Sequence, residues 1–98
     1  MTQKEEERLM AQMRSNNIID RKELGVLKSR AVKAVKIDNM IELIAVLEMI
    51  KDFFQNRKKS MKEGLLKISS PKNQKIIETY LKKDEEELKI ILHQFDVS

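Results

Sequence analysis

From residue 39 onward the apolar positions recur in alternating steps of three and four. Met40, Leu43, Leu47, Ile50, Phe54, Met61 and Ile68 form one row, interrupted only by Arg57 and Gly64. That heptad spacing predicts a long helix from about 39 to 68. Asn39 with Glu42 three residues on marks its start. The row lapses across "QNRKKS" at 55–60, where a kink or a split is expected. Ser69-Ser70-Pro71 ends the helix, because proline cannot continue one and restrains the residue before it. Ser70 as N-cap and Pro71 as first helical residue then open a last helix. Its row is Ile77, Leu81, Leu88, Ile91 and Phe95, with Asp84 in the one polar slot and Ile76, Tyr80 and Leu92 widening the stripe. Two long amphipathic helices joined by a few residues predict an antiparallel hairpin of 39–68 and 71–95.

The first third of the chain is less apolar. Thr2 with Glu5 is a capping box for a helix over about 3–14. Leu9, Met10, Ala11 and Met13 give that helix little to bury, so 1–17 is expected to dock or fray. "SNN" at 15–17 reads as a break, since these residues favour turns and caps. Asp20 with Glu23 reads as a second capping box, opening a helix over 21–36. There Leu24, Leu27, Ala31, Ala34 and Val35 share one face, with Arg21, Lys22, Lys28, Lys33 and Lys36 on the other and Arg30 at its edge. The expected fold is all-α: a small helical bundle built on the long hairpin, with two shorter N-terminal helices, in a single domain spanning 1–98. The hairpin seam comprises Leu43, Leu47, Ile50, Phe54 and Met61 on one side and Ile77, Leu81, Leu88, Ile91 and Phe95 on the other. These stripes are too wide for two helices to cover alone. Either the N-terminal helices or a second chain must shield the flank, so a homodimer through the hairpin is a standing expectation.

Composition narrows the class. In 98 residues, 41% are apolar and 37% charged, with two Gly, one Pro and no Trp, which suits helix rather than turn-rich β structure. The absence of cysteine removes disulfides, thiolate metal sites and a cysteine nucleophile, and suits a cytoplasmic setting. Residues 1–15 mix acid and base with no apolar block, so no leader is read there. The most apolar stretch, "MIELIAVLEMI" at 40–50, carries Glu42 and Glu48 and falls well short of the ~20 residues of a membrane span. No membrane partner is expected.

Charge is more informative than composition. The net value is +4, but 21–36 and 57–75 are strongly basic while the intervening segments are weakly acidic. Basic blocks of this kind attract acidic surfaces or nucleic acid. Two sets of residues are therefore candidate contacts for a partner: Arg21, Lys22, Lys28, Arg30, Lys33 and Lys36, and Arg57, Lys58, Lys59 and Lys62. "ELGVLKSRAVKAV" resembles the second half of a helix-turn-helix motif, with Gly25 at the turn and Lys28, Ser29, Arg30 and Lys33 toward a DNA groove. It departs from that pattern in two ways. Arg21 stands where a small residue lets the helices approach, and 17–24 is too short for the preceding helix. A single helix running through Gly25 is the better reading. Aromatic residues for stacking single strands are nearly absent from both basic blocks.

Catalytic chemistry finds no foothold. The carboxylates of "DEEE" at 84–87 radiate around a helix and do not converge, and His93 is the only histidine. No phosphate loop, metal-ligand spacing or nucleophile motif occurs, so neither an enzyme nor a cofactor is expected. Six methionines either fill core gaps or line an adaptable groove for a partner helix. These features point to a non-enzymatic accessory or adaptor protein that docks on a larger protein partner, within nucleic-acid metabolism or its regulation. The second reading is a regulator or architectural protein that binds double-stranded DNA through 21–36 and dimerises through the hairpin.

Overall fold

A computed structural model describes residues 2–95, and all of its regular structure is helical. Helix α1 spans Gln3–Lys36, α2 spans Met40–Asp52, α3 spans Lys59–Ile68 and α4 spans Pro71–Gln94. Phe53–Lys58 joins α2 to α3 as a π-helical segment, with helical backbone on both sides. The result is three rods laid side by side, measuring 52 × 22 × 15 Å. The long dimension is that of α1 itself, because 34 residues at ~1.5 Å each reach about 51 Å.

Local chemistry explains most of the boundaries. Thr2 Oγ1 accepts a hydrogen bond from the Glu5 amide at 3.2 Å, and Asn39 Oδ1 accepts one from the Glu42 amide at 3.1 Å. Between α1 and α2 the chain reverses over three residues. Asp38 takes φ 55°, and the Asp38 and Asn39 amides bond back to the Val35 and Ala34 carbonyls. That closes α1 with a left-handed cap, a conformation aspartate tolerates better than most residues. Pro71 opens α4, as its fixed φ and missing N–H allow.

The two short N-terminal helices do not exist. A single helix runs through Ser15, Asn16, Asn17, Asp20 and Gly25, so the breaks read at 15–17 and the cap read at Asp20 are corrected. Gly25 makes no turn, and the helix-turn-helix resemblance has no structural counterpart. The polar side chains that resemble turn chemistry are used across the bundle instead. The Asn16 Nδ2 donates to Met61 Sδ at 3.4 Å, and Asn17 Oδ1 accepts from Lys62 Nζ at 3.4 Å. Tertiary partners outweigh the weak local preference of these residues for turns.

Two apolar clusters hold the rods together. One joins Leu24, Ala31 and Ala34 of α1 to Leu43, Val46, Ile50, Phe53 and Phe54, and to Leu88 and Ile91 of α4. The other joins Met10 and Met13 of α1 to Leu65 and Ile77 at the opposite end. Ala31 and Ala34 let α1 approach α2 closely, and both are fully buried. Val35, expected on that inner face, is instead 52% exposed.

Candidate functional site

Between the two apolar clusters lies a layer of charge. Lys62 is wholly buried and Lys58 nearly so, an uncommon fate for lysine. Both ammonium groups converge on Asp84 of α4. Lys58 Nζ lies 3.1 Å from one carboxylate oxygen, and Lys62 Nζ donates to the other. The layer is walled by aromatic faces, with Lys58 Nζ 4.9 Å from the Phe54 ring centre and Lys62 Nζ 6.0 Å from that of Tyr80. Asp20 adds a fourth charged group. Burial pushes its carboxyl above the usual aspartate range, while Lys58, Lys62 and Arg57 pull it back. No buried side-chain nitrogen or oxygen among the described residues lacks a hydrogen-bond partner. All three rods contribute, and the layer is self-satisfied.

Lys58 and Lys62 are thus corrected as candidate partner contacts, because they are consumed inside the fold. Arg57 stays at the surface but bridges to Glu23 of α1 at 2.6 Å, and Lys59 lies exposed within 3.8 Å of Glu63. Within 57–62, therefore, little unpaired charge faces outward, while Lys67, Lys72 and Lys75 further along the block are exposed. In the seam, Leu43, Ile50, Phe54, Ile77, Leu88 and Ile91 are buried, and Leu47, Leu81 and Phe95 are half-buried. Met61 is corrected: it lies exposed, and Lys62 takes the inner position beside it. The π-helical segment supplies the reason, since it holds one residue more per turn than an α-helix and rotates the helix beyond it.

The first block keeps its outward charge. Arg21, Lys22, Arg30, Lys33 and Lys36 are exposed and Lys28 is half-buried. Only Arg30 among them forms an ion pair in the described residues, to Glu42 at 2.7 Å. Exposed apolar residues accompany them. Ile18 is 65% exposed and Val32 43%. Arg14, Ile18, Arg21, Gly25, Lys28, Val32 and Val35 follow one another in steps of four and three, which places them along one flank of α1. Sequence reasoning took these cations for one face of an amphipathic helix and missed the apolar residues threaded among them. The heptad spacing from Arg14 to Val35 was the available signal, hidden by the supposed break at 15–17.

Hollows on the surface are shallow. One of about 160 Å³ lies between α3 and α4 beside Asp84, lined by Phe54, Lys59, Leu81 and Leu88. Among the described residues no group of three or more His, Asp or Glu stands where it could hold a metal ion. No described helix is long and apolar enough to cross a membrane. No protein-family model, curated protein or solved structure matches this chain.

Proposed function

We propose that this chain is a non-enzymatic adaptor that docks on a larger protein by accepting an acidic, amphipathic helix along the outer seam of α1. The observation that carries the reading is the flank from Arg14 to Val35, where cations and aliphatic residues alternate at heptad spacing and all but the half-buried Lys28 are exposed. Such spacing suits a second helix, whose apolar stripe would cover Ile18 and Val32 while its carboxylates meet Arg14, Arg21 and Lys28. Gly25 supports the same surface. Glycine inside a helix costs about 1 kcal/mol relative to alanine, yet a methyl group there would meet nothing within 4 Å of its own chain. Internal packing gives no reason for it, whereas close approach of a partner would.

The buried lysine layer belongs to the scaffold in this reading, and partners in nucleic-acid metabolism remain the expected setting. Direct binding of double-stranded DNA is the second reading, favoured by the same cations standing without carboxylate partners among the described residues. Immobilised protein in a nuclease-treated extract of its own cells is expected to retain one protein. Arg21→Glu combined with Lys28→Glu is expected to abolish that retention without loss of helicity. Retention of nucleic acid alone, with a duplex mobility shift that falls steeply with salt, would sink the adaptor reading in favour of DNA. Retention that ignores the double variant would refute the seam as the contact surface.

A further inference from the structure

We infer that the chain pairs with a second copy of itself through the face shared by α1 and α2–α3, about a twofold axis running along the bundle. This face lies on the flank of α1 away from the Arg14–Val35 seam. Ile19, Glu23, Val26 and Arg30 follow in steps of four and three, and Glu23 and Arg30 bridge to Arg57 and Glu42 on the neighbouring rod. The apolar residues along it are open to solvent. Ile19 and Val26 are each 62% exposed, Ile37 60%, Ile41 84%, Met49 45% and Met61 36%. Between the rods run two shallow grooves, one floored by Leu27 and Phe53 and the other by Met13 and Leu65.

Exposed aliphatic residues and charge both point to a second copy. Charge then selects the geometry. Lys22 and Lys33 stand beside Val26 on α1 without an ion pair among the described residues, while Glu48 and Asp52 of α2 border the groove floored by Leu27 and Phe53. An axis along the bundle sets the basic half of α1 against the acidic α2 of its mate, twice over. An axis across the bundle would instead set the basic half of α1 against residues 3–18, whose charges cancel.

Light scattering after size exclusion is expected to give about twice the chain mass, and Val26→Asp with Ile41→Asp is expected to halve it with the helical circular dichroism intact. Both positions are exposed, so loss of the dimer would not reflect misfolding. A charge swap tests the geometry. Lys22→Glu with Lys33→Glu, and separately Glu48→Lys with Asp52→Lys, are each expected to be monomeric at low salt, and an equimolar mixture to form a mixed dimer. A monomeric wild-type protein would overturn the proposal, including one whose α1–α2 face instead binds a different protein. A wild-type dimer indifferent to the apolar substitutions, or a mixture that does not pair, would overturn it as well.

Discussion

Asp84→Asn tests whether the buried charge layer is an interior structure or an incidental pair. The substitution keeps the shape of the side chain but removes the carboxylate on which Lys58 and Lys62 both depend. Lys62, with no exposed surface, retains the substituted side chain's one neutral amide oxygen, which it must share with Lys58, together with Asn17 Oδ1 at 3.4 Å and the more distant influence of Asp20. Removing one partner of a buried pair costs about 3–5 kcal/mol, because the remaining charge stays desolvated. A chain of this size has about 5–15 kcal/mol of stability in all, so the loss is a large share of it. With a urea dependence of about 1.5 kcal/mol/M, the midpoint should fall by roughly 2–3 M. Circular dichroism at 222 nm follows the unfolding, and Tyr80 provides a second probe beside Lys62. Lys62→Met is the contrasting variant. It leaves Asp84 paired with Lys58 at 3.1 Å and replaces a buried ammonium by an apolar group of similar length, so its cost should stay within about 1 kcal/mol. If Asp84→Asn cost no more than about 1 kcal/mol, the value of an exposed pair, the buried reading of the layer would be refuted.

The pH dependence centres on Glu6 and has a definite sign. Its carboxylate accepts hydrogen bonds from the Ser70 amide at 2.6 Å and Asn73 Nδ2 at 2.8 Å, and the bond from Ser70 above all holds its pKa below the ordinary glutamate value. That stabilisation is present above the unfolded-state pKa and disappears as pH falls through the lowered folded-state value. Glu6→Gln should therefore lower the thermal midpoint at pH 7 and leave it nearly unchanged at pH 2–3; equal losses at both would contradict the carboxylate's role. Deleting Gln55, an exposed residue of the π-helical segment, should preserve the fold while converting 53–58 to ordinary α-helix. A collapse of helicity or of cooperative unfolding in that variant would refute the phase argument behind it.

What was legible in the sequence was whatever local chemistry decides. Thr2, Asn39 and Pro71 mark helix starts, because a capping oxygen or a fixed φ acts within a few residues. The residues at 15–20 misled for an instructive reason. Ser, Asn and Asp near the middle of a helix are the same residue types that end one, and only the arrival of Met61, Lys58 and Lys62 from another rod shows which role they play. The charged residues misled similarly. A lysine on the polar side of a heptad row reads as solvated, and nothing local distinguishes the exposed Lys59 from the buried Lys58. A trace of the layer was present all the same. Asp84 stood alone in an otherwise apolar row, and the facing row lapsed at Arg57.

Those two interruptions are connected by the π-helical segment. A strict heptad continued from Phe54 would bury residues 57, 61, 64 and 68, which are Arg57, Met61, Gly64 and Ile68. The structure buries Lys58, Lys62, Leu65 and Ser69, each one residue later. One extra residue in the turn at 53–58 accounts for the whole displacement, since it advances the helix by a single position and then returns it to α geometry. The shift moves two lysines inward together, one turn apart, and so places both ammonium groups within reach of a single carboxylate on α4. It moves Met61 outward onto the α1–α3 groove at the same time. Buried polar charge and exposed apolar surface are therefore two consequences of one inserted residue. If the α1–α2 face is where copies meet, the insertion that builds the polar layer also supplies part of the contact.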